Sequence, residues 1–288
     1  MNVQAFRVEK ITGIFVIINY CMKKTAILFV LIVLAAACNN DNKPSTVDNS
    51  GAIPAPAPMN YSVVKIYPHD TSSFTEGLFL LNNELYESTG LYKKSWLLKT
   101  NVETGKPTQK LKLNDAYFGE GISVVNNKIY QLTYQEHKVF VYDMNFKKLD
   151  QEFDWPFEGW GMTTDGKYLI IDTGGSNIYF VNPETFKIER TLGVMNNNGY
   201  VDKVNELEYA DGYLYANIWL TNYIIKINPK TGIIEGRADL TDILAKNNQP
   251  AANDEGGACL NGIAYDSAKK TFLITGKLWP SLFEIKFN

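Results

Sequence analysis

Histidine and cysteine are scarce in this 288-residue chain, with two and three copies respectively. Two histidines cannot build a three-histidine zinc site, and a serine–histidine–aspartate triad would have to use His69 or His137. His137 falls in a turn between strands and His69 in the lead-in to the first of the repeats described below, so both read as ordinary surface histidines. Cys21, Cys38 and Cys259 supply no CxxC pair, and only Cys259 lies within the folded region, so no disulfide framework is available. There is no P-loop and no GxGxxG after a strand, and the Gly-Gly pairs at 174–175 and 256–257 read as turns. Basic runs are also missing: 28 Lys and Arg face 31 Asp and Glu, a net charge of −3, which argues against nucleic acid as a partner.

What hydrophobic run there is lies at the N-terminus. Met22-Lys23-Lys24 precedes an apolar stretch over 26–34 and then Ala35-Ala36-Ala37-Cys38. A short basic region, an apolar core too short to span a membrane comfortably, and small residues before a cysteine form a secretory signal. It resembles a bacterial lipoprotein signal, with Cys38 as the lipidated first residue; an uncleaved N-terminal anchor is the alternative. Residues 1–21 precede that signal, and Met22 is an alternative start. Residues 38–60 carry polar and then Pro-rich sequence, expected to act as a flexible tether. Residues 61–288 form the remaining domain, and the chain from Cys38 onward has a net charge of −6.

Within that domain one pattern recurs. Phe118-Gly119-Glu120-Gly121-Ile122 precedes a turn and an alternating run, and so does Phe74-Thr75-Glu76-Gly77-Leu78. Gly159-Trp160-Gly161-Met162, Asn205-Glu206-Leu207-Glu208 and Asn261-Gly262-Ile263 repeat the theme, with positions 77, 121, 161, 207 and 262 lying 44, 40, 46 and 55 residues apart. A period of roughly 40–50 residues is that of a four-stranded propeller blade. Within each repeat the hydrophobic period is two, with first strands expected at 78–81, 122–125, 162–164, 207–209 and 263–265. Asn82-Asn83, Asn126-Asn127, Asp165-Gly166 and Asp211-Gly212 supply hairpin turns. The last repeat ends without its fourth strand, and an unclaimed strand at 61–67 precedes the first. The expectation is an all-β, five-bladed β-propeller closed by an N-terminal strand that completes the C-terminal blade, with an open sandwich as the alternative. Only 240–246 reads as a short helix.

In a propeller the starts of the inner strands meet at one mouth. Those positions hold Glu76, Glu120, Trp160, Glu206 and Asn261. Gly90, Tyr134, Gly174, Trp219 and Lys277 follow the second strands, in loops that could reach the same mouth. Carboxylates sharing a concave site raise one another's proton affinity, which suits acid–base work. For Glu206 and Glu208 a structural calcium ion held in the channel is an equal reading.

Six segments in order, Phe118-Gly-Glu120-Gly, Glu158-Gly-Trp160-Gly-Met-Thr-Thr-Asp-Gly, Asn205-Glu-Leu-Glu-Tyr, Ala216-Asn-Ile-Trp219, Leu260-Asn261-Gly-Ile-Ala and Thr275-Gly-Lys277-Leu-Trp279-Pro, resemble the plant and bacterial type of glutaminyl-peptide cyclotransferase. The resemblance extends from Phe74 to Phe287 and touches all five repeats. It implies a five-bladed propeller, conversion of an N-terminal glutaminyl residue to pyroglutamyl with release of ammonia, and no catalytic zinc. It also implies Glu120 as the essential acid, with Lys277 beside it among the catalytic groups. Phe74, Phe118, Trp160, Asn205, Trp219, Asn261 and Trp279 match site positions. Glu76 stands where the family usually has Gln, and Tyr134 where it often has Trp. Trp160, Trp219, Trp279 and Phe118 are candidate pocket walls, and Asn205, Asn261, Lys277 or an indole N–H could face an oxyanion.

The partners so implied are peptides or proteins with N-terminal Gln, and a bacterial membrane through a lipid on Cys38, with the protein periplasmic or on the cell surface. Nothing in the sequence calls for more than a monomer. Two other readings remain. One is a calcium-dependent lactonase-type hydrolase using Glu76, Glu120, Glu206, Asn205 and Asn261 as ligands; the other is a non-catalytic propeller that binds peptide or glycan.

Overall fold

Alternating side chains make alternating strands, and the computed structural model of the chain, which describes residues 51–253 and 256–288, arranges them in five antiparallel blades and one small two-stranded sheet, Met195–Asn196 with Gly199–Tyr200. The signal segment, Cys38 and residues 39–50 of the tether lie outside the described residues. From the channel outward, the first blade is Thr75–Leu81, Glu84–Thr89, Trp96–Asn101 and Lys106–Lys112. The second is Gly119–Val125, Lys128–Thr133, Lys138–Asp143 and Lys148–Asp154, and the third Met162–Thr164, Leu169–Asp172, Asn177–Val181 and Ile188–Gly193. The fourth is Val204–Ala210, Tyr213–Ile218, Tyr223–Ile227 and Ile234–Asp239. Leu260–Asp266, Thr271–Gly276 and Ser281–Phe287 form the fifth, whose outer strand is Tyr61–Pro68 from the other end of the chain. Pairing runs from Tyr61 opposite Phe287 to Pro68 opposite Ser281, so the ring closes as the leftover strands implied. The buried Tyr67 hydroxyl donates to Glu284 Oε2 at 2.6 Å and fastens that seam.

Five clusters of buried side chains fill the interfaces between neighbouring blades, represented by Leu78 with Leu273, Ile122 with Leu97, Leu132 with Ile171, Ile170 with Leu207, and Ile224 with Ile263. The hairpin turns follow residue chemistry: Asn82 and Asn83 have φ of 51° and 65°, Asn126 and Asn127 of 53° and 56°. Two successive left-handed residues make the turn whose twist matches paired strands, and asparagine tolerates that conformation.

Four of the inner strands begin earlier than the alternation implies. Their pairing skips between Thr75 and Gly77, Gly119 and Ile122, Val204 and Leu207, and Leu260 and Ile263, then resumes upstream. Each skip is a β-bulge, which bends the strand and re-aims a side chain. The bulges set the true equivalences around the ring: Glu76, Glu120, Trp160, Asn205 and Asn261. The expected fourth member, Glu206, is one residue out of step and takes the place that glycine holds in the other blades. A Cβ on Gly77 would lie 2.6 Å from Ile122 N, on Gly121 2.5 Å from Met162 N, and on Gly161 2.5 Å from Asn205 O, so glycine allows the inner strands to approach. The Glu206 side chain reaches across the channel instead. It accepts from Leu78 N at 3.1 Å and Ile263 N at 2.7 Å, while Glu208 accepts from Tyr265 N at 2.9 Å and Thr163 Oγ1 at 3.0 Å.

Other expectations need correction. The tether's last residues are held: Ala57–Pro58 pairs in parallel with Gly236 and Arg237 on the otherwise open edge of the fourth blade, and Met59 N donates to Arg237 O. The helix is shorter than expected, Ile243–Lys246. His69 is not a surface residue; its side chain is 5% exposed and lies between Glu87 Oε1 at 3.2 Å and Trp279 O at 2.8 Å. Pro68 ends the closing strand immediately before His69. His137 is exposed in a turn, with φ of 57°.

Candidate active site

Bulged strand starts and the loops after the second strands enclose a hollow of about 270 Å³ at one end of the channel. Its lining comprises Phe74, Glu76, Phe118, Glu120, Tyr134, Trp160, Asn205, Trp219, Leu220, Gly257 and Lys277. Of the eleven residues proposed from sequence for catalysis and substrate binding, nine line this one hollow.

The aromatic wall depends on two glycines. A Cβ on Gly90 would sit 2.3 Å from the Phe118 ring, and one on Gly174, whose φ is +73°, would sit 2.6 Å from the Trp160 ring. Both loop positions therefore serve the mouth by leaving room for a ring. Phe118 meets Phe74, Tyr92 and Tyr134 at centroid distances of 6.3, 5.5 and 5.7 Å, and Trp160 meets Trp219 edge-on at 5.5 Å. Such contacts stiffen the wall beyond simple area burial. The Trp160 indole N–H donates to Glu158 Oε2 at 3.2 Å, so it is committed to the wall.

The floor is charged. Lys277 Nζ lies 2.7 Å from Glu76 Oε1 and 2.7 Å from Oε2, and 4.6 Å from the centroid of the Phe74 ring. Asn261 stands beneath the lining: its Nδ2 donates to Thr75 O at 2.8 Å and reaches Glu76 Oε2 at 3.4 Å. Glu120 differs from every other acid in the channel. It is 5% exposed, and among the described residues nothing hydrogen-bonds to its carboxyl group. Burial pushes its pKa well above the ordinary carboxylate range; the neighbouring charge of Glu76 adds to this, Lys277 opposes it, and Asp172 and Glu158 contribute further. The same rise without any partner is what an acid–base group working near neutrality requires.

With the Trp160 indole and the Asn261 amide committed, Asn205, the Trp219 indole and the remaining Lys277 proton are left as donors at the hollow. Asn205 is 2% exposed and its Oδ1 has no partner. Asp172 Oδ2, Asn217 Nδ2, Asn261 Oδ1 and, on the inner strand of the second blade, Ser123 Oγ share that condition. Among the described residues, no group of three or more His, Cys, Asp or Glu side chains is placed to hold a metal ion. The five ligands of the lactonase reading do not converge: Glu206 is taken by backbone N–H groups and Glu76 by Lys277.

Trp279 does not line this hollow. Its ring is 6% exposed, packs on Phe283 at 6.4 Å and lies over Gly276, where a Cβ would be 2.4 Å away. Leu278, at φ of 60°, turns the chain between Lys277 and Trp279 so that the two side chains part. Leu220 and Gly257 complete the rim and were not singled out from the sequence. Leu220 is 62% exposed at φ of 62°, and an isolated leucine in a loop carries no local signal of such a place. Gly257, read as a turn glycine, is that and a rim residue too.

Comparison with known proteins agrees with this geometry. The sequence profile of the family described as glutamine cyclotransferase matches residues 29–287. A glutaminyl-peptide cyclotransferase of Arabidopsis thaliana is 38% identical over 228 residues, which is 78% of this chain and 71% of the relative. The crystal structure of Myxococcus xanthus glutaminyl cyclase superposes with a TM-score of 0.74 at 32% identity, covering 81% of this chain and 98% of the other. The five-bladed ring, the aromatic hollow and the free Glu120 carboxyl thus belong to a member of the glutamine cyclotransferase family.

Proposed function

We propose that the chain converts N-terminal glutaminyl residues of peptides and proteins to pyroglutamyl residues, releasing ammonia, with Glu120 as the general acid and base. The observation that carries this reading is a buried carboxyl group, without a hydrogen-bond partner among the described residues, in a hollow walled by Phe118, Trp160 and Trp219. A hollow of about 270 Å³ falls below the roughly 300–1,000 Å³ that drug-sized ligands occupy, and suits a single residue at a chain end.

Cyclisation joins the substrate's α-nitrogen to its own side-chain amide carbon. The two groups already share one molecule, so folding the side chain back against the amine supplies much of the acceleration. The rings enforce that folded conformer and exclude water. As the amine attacks, Glu120 takes a proton from it; the amide oxygen gains charge, which Asn205 and Lys277 offset as donors. The carbon–nitrogen bond to the old amide nitrogen then breaks, and Glu120 returns the proton to that nitrogen, which leaves as ammonia. The carboxyl group ends in its starting state, and the step needs no metal.

Incubating a Gln-initiated peptide with the protein from Cys38 onward tests this directly. The expected product has lost one ammonia, at a rate unchanged by chelator; a peptide mass that stays constant defeats the reading. Turnover of lactones that stops on chelation would favour the calcium-dependent alternative. The segment before Cys38 further supports export, lipidation of Cys38 and anchoring to a bacterial membrane. Replacement of Cys38 by Ser is expected to release the protein from the membrane fraction.

A further inference from the structure

The floor of the hollow holds one more carboxylate than cyclisation uses. Both oxygens of Glu76 lie 2.7 Å from Lys277 Nζ, and Asn261 Nδ2 approaches one of them at 3.4 Å. Its backbone is fixed as well, since the preceding Thr75 gives its carbonyl to Asn261 and its hydroxyl proton to Glu87 Oε1 at 2.7 Å. A side chain 2% exposed and clasped in this way cannot trade protons with substrate without giving up Lys277.

The charged groups that act on Glu120 come from several blades: Glu76 from the first, Lys277 from the fifth, Asp172 from the third and Glu158 from the loop ahead of it. The titratable Tyr92 and Tyr134 stand at the same wall. Lys277 is the single cation in that set. An ammonium turned toward Glu120 would lower its proton affinity and leave a carboxylate too weakly basic to take the proton of the attacking amine.

We propose that Glu76 is a positioning residue: by clasping Lys277 through both carboxylate oxygens it keeps the ammonium off Glu120 and so governs whether Glu120 carries a proton. The assignment rests on the cyclotransferase reading of the site. Its electrostatics agree with the geometry. Burial works against charge on Lys277, yet Glu76, and then Glu120, raise its pKa above that of ordinary lysine, so the ammonium stays charged. Glu76 raises the proton affinity of Glu120 while Lys277 lowers it, so the two act on Glu120 in opposite senses.

That opposition gives the test, the pH dependence of kcat/KM for a Gln-initiated peptide in the wild type and two variants. In Glu76→Gln a negative neighbour is lost and Lys277 is free to turn, both of which favour ionised Glu120. The limb that Glu120 governs is then expected to move to lower pH by about one unit or more, the effect of an opposite charge at close range. In Lys277→Met the Glu76 charge faces Glu120 uncompensated, and the same limb moves to higher pH. Opposite displacements are the signature, since a merely structural role would lower the rate at every pH and move neither limb. Limbs that stay in place, or move together, overturn the proposal.

If Lys277→Met does not fold, the Glu76→Gln/Lys277→Met double variant leaves no buried ion without a partner. Its limb is expected above that of Glu76→Gln; coincidence of the two would show that Lys277 does not act on Glu120. Absence of cyclisation by the wild type would defeat the functional reading itself, an outcome separate from unmoved limbs in an active enzyme.

Discussion

Glu120→Gln separates chemistry from architecture. Glutamine keeps the shape of the side chain and cannot exchange a proton, and because nothing among the described residues hydrogen-bonds to the Glu120 carboxyl, the substitution strands no partner there. An acid–base group contributes about 10²–10⁴-fold, so kcat is expected to fall at least about a hundredfold, or ~2.7 kcal/mol in the barrier. KM should change little, because the walls come from Phe118, Trp160 and Trp219. Stability has a definite sign. Burial, then the charge of Glu76, lift the Glu120 pKa in the folded state above its unfolded value. The folded protein therefore binds this proton more tightly than the unfolded chain does. That contribution is fully present below the ordinary carboxylate range and is lost as pH rises through the raised value. Glutamine has no such loss, so the variant should melt above the wild type at pH 9 and lose that advantage at pH 4. Ammonia release and thermal unfolding followed by circular dichroism measure the two effects. Near-wild-type ammonia release would remove Glu120 from the mechanism, and a lower melting temperature at pH 9 would refute the electrostatic account.

Gly90→Ala drives a methyl group to within 2.3 Å of the Phe118 ring and 3.0 Å of Glu76 Cγ. It is expected to push the ring into the hollow, raise KM several-fold and cost about 1–3 kcal/mol by overpacking, measured by steady-state kinetics and urea unfolding. Glu208, buried between Thr163 and Tyr265, has its pKa pushed up to about 8 by burial against those hydrogen bonds. Its stability contribution is present below the usual carboxylate range and is lost as pH climbs to about 8. Glu208→Gln should therefore gain a few kcal/mol relative to wild type on going from about pH 4 to pH 9, at ~1.4 kcal/mol per pKa unit, read from urea unfolding at the two pH values. Tyr67→Phe removes the buried hydroxyl that donates to Glu284 at 2.6 Å and should lower unfolding free energy by about 1.5–3 kcal/mol, the range for a hydrogen bond to a charged group. Equal denaturation midpoints for the variant and wild type would mean that the seam does not depend on that bond.

The parts of this fold that could be read from the chain are those whose cause is local. Asn82-Asn83 and Asn126-Asn127 announce turns because asparagine accepts the left-handed backbone those turns demand. The ring's closure was legible because the last repeat lacked an outer strand that residues 61–67 could supply. What misled has distant causes. Whether Asn205 or Glu206 points into the mouth depends on a bulge, and a bulge is defined by the partner strand Tyr213–Ile218, not by the bulged residues themselves. Trp279 looks like a pocket wall beside Lys277, but Gly276 leaves a seat for its ring on the far side of the turn. His69 follows a proline and an exposed strand, yet Glu87 and the Trp279 carbonyl draw it inward from blades far apart in sequence.

These distant causes share a physical root. The innermost strand of each blade is a sheet edge whose unpaired N–H groups face the channel, where no sixth strand can lie. The ring satisfies those donors with side chains: Leu78 N and Ile263 N bond to Glu206, Tyr265 N to Glu208, Tyr209 N to Thr163 and Gly262 N to Asn217. A channel crowded with acids is thus first a consequence of edge chemistry, because these carboxylates accept from buried amides that would otherwise lack an acceptor. Composition alone could not distinguish these acids, since Glu206 and Glu208 lie as deep as Glu120 and are also lifted by burial. The distinction lies in their donors. Where backbone N–H groups converge on a carboxylate, its oxygens are committed and its proton exchange would unmake a blade contact. Glu120 stands at the one bulge that delivers a carboxylate into the mouth with neither a backbone donor nor a lysine clasped to it. Its protonation can change while every blade contact stays as it is, and that independence is what a group passing protons between two substrate nitrogens requires.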